Sequence, residues 1–376
     1  MDTELYYELA LTQIETVGLV KAHLLMETFG TAKAIFDASP SDLSMLGASG
    51  NALADRDIRS EAFASAEREI DFIESKGITA ITYISTSYPE RLRECPDAPI
   101  VLFQLGFCPL NSQKMVAMVG TRHATEYGRQ LARTFVEQLS AIDKGIVVVS
   151  GLAYGIDISC HRAALDFGMP TIAVVAHGMD RIYPPLHRND AARMINSGGA
   201  VLSEFFSGTQ PIASNFLQRN RIVAGLCDAV IVVESDARGG SLSTARIASE
   251  YNREVFAFPG RIGDKFSTGC NRLISDDRAR IVLSADDFMT KMNWMPEKTA
   301  AKQPELPFDA VMPLTDNQKA IFDILRTGPK QINELAALSS LTPAEISAAI
   351  TEMLLSDVII SLPGDMYDIP LKASSV

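Results

Sequence analysis

Cysteine is scarce in this sequence, and its pattern excludes two ways of stabilising a small protein. The 376 residues include five cysteines, an odd number, and no two of them have the C-x-x-C spacing. We therefore expect neither a disulfide framework nor a zinc site of that type. A reduced, cytosolic protein is the simplest interpretation.

Long apolar segments are also missing. No run of about 18 apolar residues is present, so no membrane-spanning helix is expected. The first ten residues, MDTELYYELA, are acidic and lack the basic-then-apolar pattern of a secretory signal. Hydrophobic residues make up 47% and charged residues 21% of the chain, which is typical of a folded globular protein, and the length predicts two or three domains.

The excess of acidic residues is confined to the two ends of the chain. The net charge is −12, with −8 in residues 1–76 and −4 in residues 313–376, so residues 77–312 are neutral. This middle part contains 18 Arg and 6 Lys, whereas the ends contain 4 Arg and 6 Lys. Because the planar guanidinium of arginine binds phosphate through two hydrogen bonds and stacks on bases, the bias favours nucleic-acid binding. A general preference for arginine in the source organism is the alternative.

The periodicity of the apolar residues divides the chain into four segments. Residues 1–76 have apolar positions at helical spacing, and residues 77–292 form an α/β segment that opens with a strand-and-loop connector, 77–112. Residues 293–312 contain three prolines and are interpreted as a linker. Residues 313–376 form a small C-terminal unit.

The α/β segment alternates short strands with helices. Seven runs rich in Val and Ile predict strands buried on both faces of a parallel sheet: 115–120, 145–151, 171–178, 200–205, 228–235, 254–260 and 279–284. Six helices are predicted between and after them: 125–140, 156–167, 186–197, 214–226, 241–252 and 286–292. This alternation predicts a doubly wound α/β fold.

The C-terminal unit has the pattern of a winged helix. Helices are predicted at about 315–326, 331–338 and 342–355, followed by a hairpin with a Pro-Gly turn. Thr342 is the expected N-cap of the third helix, with Glu345 at the capping-box position. This third helix contains no Lys or Arg, so it would repel the phosphates of a duplex. We interpret the unit as a protein-contact or regulatory module.

The candidate chemistry lies in the loops that follow the strands. In an open parallel sheet, ligands bind at the carboxyl ends of the strands. These loops are rich in glycine, hydroxyl groups and arginine, which bind phosphate through backbone amides and guanidinium groups. Neither G-x-G-x-x-G nor the P-loop pattern is present, which disfavours dinucleotide and Walker-type nucleotide binding.

Each of these motifs also has a purely structural interpretation. Gly120 and Gly151 could serve only to make tight turns, and Phe216 could be a core residue of an amphipathic helix as readily as a ring for base stacking. An arginine inside a helix, such as Arg221, commonly forms a surface salt bridge. Asp157 is interpreted as a helix cap rather than a catalytic base.

Taken together, the loops resemble a known family. The segments MVGTRHATEYG, VVSGLAYGIDISCHRAAL, TIAVVAHGMDRIYPPLH, FLQRNRIVAGL and GGSLSTARIASEYNREVFAFPG are similar to those of the DNA-processing protein DprA, or Smf, family over roughly residues 80–290. The resemblance implies an extended Rossmann-like, doubly wound parallel sheet with an N-terminal helical (helix-hairpin-helix or SAM-like) domain and a C-terminal winged helix.

The resemblance also implies a function. It predicts a homodimer that binds and protects incoming single-stranded DNA without base specificity and loads the RecA recombinase during natural transformation, with no catalytic activity, cofactor or metal. The residues expected at the DNA are Gly120, Thr121, Arg122, Ser150, Gly151, Gly155, Phe216, Arg219, Asn220, Arg221, Arg238, Gly239, Gly240 and Ser241.

Two other functions fit parts of the sequence. The run ARGGSLSTARIASE is similar to the PGGxGTxxE signature of nucleotide phosphoribohydrolases, although Arg238 replaces its proline and Glu250 falls several residues too late. An adaptor with a vestigial pocket, acting through its acidic ends, is the third hypothesis.

Overall fold

The computed structural model describes residues 3–295, 314–356 and 358–369. By its internal contacts the chain forms two compact units, Met1–Pro296 and Glu297–Val376. The predicted linker spans residues 293–312, and the part of it from residue 296 onward lies outside the described residues.

The larger unit begins with six helices, as the apolar spacing of residues 1–76 predicts. They are α1 Thr3–Thr12, α2 Leu19–Phe29, α3 Ala32–Asp37, α4 Pro40–Ser44, α5 Ala48–Ala54 and α6 Arg56–Lys76. Polar side chains cap their starts: Thr31 accepts from an amide of α3, and Asp55 accepts from two amides of α6. The helices enclose an apolar core of their own, which also contacts the sheet through Phe103.

A nine-stranded sheet follows these helices. Its strands are β1 Thr79–Thr82, β2 Val101–Gly106, β3 Met115–Val119, β4 Val147–Ser150, β5 Thr171–Val174, β6 Ala200–Ser203, β7 Ala229–Val232, β8 Glu254–Ala257 and β9 Arg280–Ile281. Their spatial order is β1-β2-β6-β5-β4-β3-β7-β8-β9. Strands β3 to β9 are parallel to one another, which confirms the seven predicted strands. The connector adds β1 and β2 as antiparallel strands at one edge, which the sequence analysis did not place in the sheet.

Helices cover both faces of the sheet. They are α7 Glu90–Arg93, α8 Glu126–Ile142, α9 Ile156–Asp166, α10 Arg188–Asn196, α11 Ala213–Gly225, α12 Gly240–Glu250, α13 Thr268–Ser275 and α14 Ala285–Lys291. One core joins α8, α9 and α14 to the sheet, and the other joins α11, α12 and α13 to its opposite face. The six predicted helices are confirmed, whereas the short helices α7 and α13 were not predicted.

The strand order reverses at β3, which fixes the place of a binding site. The chain runs from β3 outward through β4, β5 and β6 to one side, and then returns to place β7, β8 and β9 on the other side. The loops after β3 and β7 therefore diverge to opposite faces and leave a crevice at the carboxyl edge of the sheet.

The smaller unit contains three helices and a three-stranded sheet. Its elements are α15 Asp316–Leu325, β10 Lys330–Gln331, α16 Ile332–Leu338, α17 Pro343–Leu355, β11 Ile360–Leu362 and β12 Met366–Asp368. The sheet order is β10-β12-β11, so the predicted winged helix is confirmed. Glu345 accepts hydrogen bonds from the amide and hydroxyl of Thr342, as expected for a capping box. The predicted hairpin turn lies at Pro363-Gly364, between β11 and β12.

Within the described part of the chain, no helix combines the length and the apolar character that crossing a membrane requires.

Candidate nucleic-acid interface

A cleft of about 580 Å³ opens at the carboxyl edge of the sheet, in the crevice between the loops after β3 and β7. It is lined by the ends of β3 and β4, by the first turn of α12 and by one face of α11. Ten of the residues predicted to contact DNA line this cleft: Gly120, Thr121, Arg122, Gly151, Phe216, Arg219, Asn220, Gly239, Gly240 and Ser241. Four separate segments of the sequence thus meet at one surface.

Two glycines shape the floor of the cleft. A Cβ atom at Gly151 would lie 1.9 Å from Nη1 of Arg219, so a larger residue would displace this buried guanidinium. Gly155 has φ +78°, and a Cβ atom there would lie 2.2 Å from the carbonyl oxygen of Thr121. Gly155 is therefore required by the backbone, whereas Gly151 makes room for the Arg219 side chain and keeps the backbone open to the cleft. Gly155 itself lies outside the cleft lining.

Arg122 and Phe216 form the mouth of the cleft. Arg122 is exposed, and its guanidinium carbon lies 4.6 Å from the centre of the Phe216 ring, a cation–π contact. The edge of the Tyr183 ring faces the same phenylalanine at 6.1 Å. Among the described residues no carboxylate forms a salt bridge with Arg122. A positive charge and two aromatic rings are thus available to a ligand.

Helix α11 presents different chemistry on its two faces. Phe216, Asn220 and Val223 are spaced by three and four residues, lie on one face and line the cleft. Arg221 points the other way, where its guanidinium donates hydrogen bonds to the carbonyl oxygen of Asp97 and to the carboxylate of Glu204. The structure therefore places Arg221 outside the cleft, in a buried ion pair that joins α11 to the connector.

A layer of buried polar groups lies beneath the cleft. Arg219 is 4% exposed, and its Nη1 donates to the carbonyl oxygen of Val174 at 2.6 Å. Burial lowers the pKa of Arg219 and raises that of the Asp157 carboxyl, while the Arg219 charge acts in the opposite direction on Asp157. The Ser150 hydroxyl donates to the carbonyl oxygen of Met118 at 2.6 Å, so Ser150 supports the floor without lining it.

His161 belongs to the same layer. It is fully buried, its Nδ1 lies 2.7 Å from the Thr171 hydroxyl, and burial lowers the pKa of its imidazole to about 3. The ring is therefore neutral at physiological pH. Asp157 does not cap α9 in the expected way, because the N-cap is Gly155; its carboxylate instead accepts from the amide of Ala153 at 3.4 Å.

The first turn of α12 closes one side of the cleft. Gly239 is the N-cap of α12 and Gly240 its first residue, and both line the cleft. The amides at a helix start carry a partial positive charge that favours an anion. The Ser241 hydroxyl is 3.0 Å from that of Ser235, which anchors this turn. Arg238 is exposed on the rim just outside the lining residues.

A smaller hollow of about 440 Å³ adjoins the cleft and shares Arg122 with it. Its other lining residues include Arg129, Tyr154 and Gly155. Tyr154 is 44% exposed. The sequence analysis missed Tyr154 and Tyr183, although the signal was present, since each is an aromatic residue within a loop that follows a strand.

Two family models match the chain. The family model of the DNA recombination-mediator protein A matches residues 79–293, and that of the DprA winged helix domain matches residues 302–365. Protein Smf of Synechocystis is 28% identical over 97% of this chain and 99% of its own length. DNA processing protein DprA of Streptococcus pneumoniae is 40% identical over 57% of this chain and 74% of its own length.

Two solved structures are also similar. The X-ray structure of DprA from Streptococcus pneumoniae has a TM-score of 0.63 and 32% identity, and covers 77% of this chain and 99% of that one. The structure of DNA processing protein A from Helicobacter pylori, which concerns the single-stranded DNA binding mode of that protein, has a TM-score of 0.51 and 31% identity, with 57% and 95% covered. Since the first family model spans more than half of the sequence, the chain belongs to the DNA recombination-mediator protein A family.

Proposed function

We propose that the chain binds single-stranded DNA in the cleft, without base specificity and without catalysis. The observation that carries this proposal is the meeting of Arg122, Phe216 and the first turn of α12 at one surface. A cation and helix-terminal amides bind phosphate, and the half-buried ring of Phe216, which lines the cleft, provides a surface for stacking a base. The protein from Helicobacter pylori, 31% identical, is described as binding single-stranded DNA, which supports the same assignment.

The chemistry of the cleft lining explains why we propose binding without base specificity and a preference for single strands over duplex. Backbone amides and guanidinium groups contact phosphates, which carry no sequence information. A base reaches the Phe216 ring inside the cleft only when it is unpaired, so single strands are preferred to duplex.

A non-catalytic role fits the same lining. The residues that line the cleft include one carboxylic acid, Asp157, and no histidine, lysine or cysteine. A pair of acid–base groups or an activated nucleophile is therefore lacking among them. Incubation with nucleoside monophosphates tests the phosphoribohydrolase alternative, and release of free base would establish it.

Fluorescence anisotropy with labelled oligonucleotides tests the main proposal. We expect single strands of different base composition to bind with similar affinity, more tightly than duplex, and to weaken as salt rises. Tighter binding of the duplex, or binding that is independent of salt, would contradict it.

The family membership extends the proposal to partners. We infer that the protein forms a homodimer, protects incoming single strands and delivers them to the RecA recombinase. Light scattering at several concentrations tests the dimer. A strand-exchange assay with and without the protein tests delivery. If the rate of RecA filament formation on single strands is the same with and without the bound protein, this inference is wrong.

A further inference from the structure

A second groove, of about 790 Å³, lies beside the cleft at the carboxyl edge of β7 and β8. It is bounded by Thr125 and Tyr127 at the start of α8, by Glu234 after β7, and by residues 259–267 between β8 and α13. We call it the outer groove. None of the residues that the sequence analysis assigned to DNA contact lines it.

Glu234 forms a wall between the cleft and the outer groove. Its carbonyl oxygen accepts a hydrogen bond from the amide of Thr121, a cleft residue, at 2.8 Å. Its carboxylate lies on the side of the outer groove and accepts from the amide of Thr125 at 2.9 Å. Glu234, two residues after the end of β7, therefore separates the two cavities.

The loop that borders the outer groove is held in one shape by hydrogen bonds. The Asn271 side chain bonds both the amide and the carbonyl oxygen of Gly260, each at 3.0 Å. The carbonyl oxygen of Phe266 accepts from the amide of Ser235 at 2.7 Å. Because both ends of the loop are anchored to neighbouring elements, the groove is formed before any ligand arrives.

The groove offers rings and positive charges. Tyr127 is 56% exposed, Phe266 is half-buried, and the ammonium group of Lys265 lies 5.3 Å from the centre of the Phe266 ring. Arg261 and Lys265 are exposed, and neither forms a salt bridge with a described residue. These are the groups that bind a single strand, since rings stack bases and cations contact phosphates.

Two carboxylates border the groove as well. Glu234 is 4% exposed and bonded to Thr125 at the start of α8, where the helix amides offset its charge. Asp264 is exposed. Arg261 and Lys265 outweigh this one solvent-facing acid, and Arg238 on the rim adds a third positive charge toward the cleft.

We propose that the outer groove holds the nucleotides that continue the strand bound in the cleft. This inference rests on the proposed function of the cleft and extends it with a second subsite. The strand passes over the segment that carries Glu234 and Arg238, its bases stack on Tyr127 and Phe266, and its phosphates contact Arg261 and Lys265. Binding strength therefore depends on oligonucleotide length beyond what the cleft alone accommodates.

The test compares short and long oligo-dT by anisotropy in the full-length chain. The short probe is about four nucleotides, the lower end of site sizes for single-strand binding folds, and the long probe is about sixteen. The variant is Arg261→Glu with Lys265→Glu. Its matched control, Arg68→Glu with Lys144→Glu, changes the net charge equally at two exposed residues outside both cavities.

We expect the groove variant to bind the short probe within twofold of wild type and the long probe at least tenfold more weakly. Its salt slope on the long probe should fall by about 1.4, the value for two lost phosphate contacts on a single strand. The control should bind both probes like wild type. An equal loss on both probes, or no loss on the long one, would overturn the outer groove as a separate subsite.

Photocrosslinking provides an independent readout that a merely electrostatic effect would not produce. With long oligo-(5-bromo-dU), we expect crosslinks on both Phe216 and Tyr127, and with the short probe on Phe216 alone. Crosslinks at Phe216 but never at Tyr127 would remove the groove from the strand's path. Failure of wild type to bind any single strand would instead refute the proposed function itself.

Discussion

The carboxyl edge of the large sheet and the winged helix are both places where a fold alone suggests nucleic acid, but their surfaces differ. The edge of the sheet presents Arg122, Arg238 and Arg261 in exposed loops. The third helix of the winged helix, α17, presents Glu345 and Glu352 and contains no basic residue. The comparison shows that the side chains at a site, not the architecture, decide which surface can hold a polyanion.

The largest effect is expected at the mouth of the cleft. Arg122→Glu replaces the charge that we propose to bind phosphate with a repelling one and should weaken single-strand binding about 100-fold at low salt. Lys144→Glu, an exposed site that lines neither the cleft nor the outer groove, is the control and should bind like wild type. Titration by anisotropy measures both, and similar affinities for the two variants would remove the contrast between the surfaces.

The floor of the cleft provides a test by stability. In Gly151→Ala the new Cβ atom would collide with the Arg219 guanidinium, and the free energy of unfolding should fall by about 2 kcal/mol. Gly240→Ala is the matched control, because nothing lies within 4 Å of its Cβ position. Urea denaturation measures both. Equal stabilities would mean that Arg219 is not fixed where the structure places it.

We expect acid to lower the folding stability of the larger unit more than that of the smaller one, because all five histidines precede residue 188. The pKa of His161 is lowered to about 3 in the folded protein, against about 6.5 when unfolded. As pH falls below 6.5 the unfolded chain gains a proton that the folded chain excludes, so folding stability falls by about 2 kcal/mol between pH 7 and pH 5. Urea denaturation of the larger unit at the two pH values should show this loss, and His161→Asn should reduce it. An unchanged pH dependence in the variant would contradict the assignment.

Base stacking has a smaller expected effect than the loss of the arginine. Phe216→Ala should weaken binding about tenfold, the usual cost of removing one stacking ring. Phe216→Tyr keeps a ring and should retain most of the affinity. Gln218→Ala, at an exposed residue of the same helix outside the cleft lining, controls for changes in α11. A loss with Gln218→Ala as large as with Phe216→Ala would show that stacking is not the cause.

The smallest effect is expected in the winged helix. Arg326→Glu reverses an exposed charge at the end of α15, and single-strand affinity should stay within about twofold, because all the proposed phosphate contacts belong to the larger unit. The same anisotropy titration measures it. A loss comparable to that of Arg122→Glu would move part of the binding surface into the smaller unit.

Much of the fold could be predicted from the sequence because the parallel strands are buried on both faces. Runs such as the one that forms β3 are apolar throughout and stand out against the helices. Strands β1 and β2 were harder to assign, since they come from a proline-rich connector and pair antiparallel at an edge. The eight-residue helix α13 is too short to show helical periodicity.

The sequence predicts which loops contribute to the candidate site, but it does not predict in which direction each side chain points. Arg219 and Arg221 lie two residues apart in α11, so they must face different ways, yet the sequence does not say which of them faces the cleft. The outer groove was missed for a related reason. Tyr127 comes from α8, whereas Arg261 and Phe266 come from the loop between β8 and α13, and only the packing of β7 beside β3 and β8 brings them together.

The contact between Arg122 and Phe216 has a consequence for the rate of binding. The guanidinium lies over the ring, 4.6 Å from its centre, on a face that a stacking base would also need. In the proposed complex, a base that stacks on this face displaces the guanidinium, and the released charge becomes available to a phosphate in the same event. Capture is then an exchange of partners in two steps, in which an encounter with the charged rim precedes the exchange on the ring.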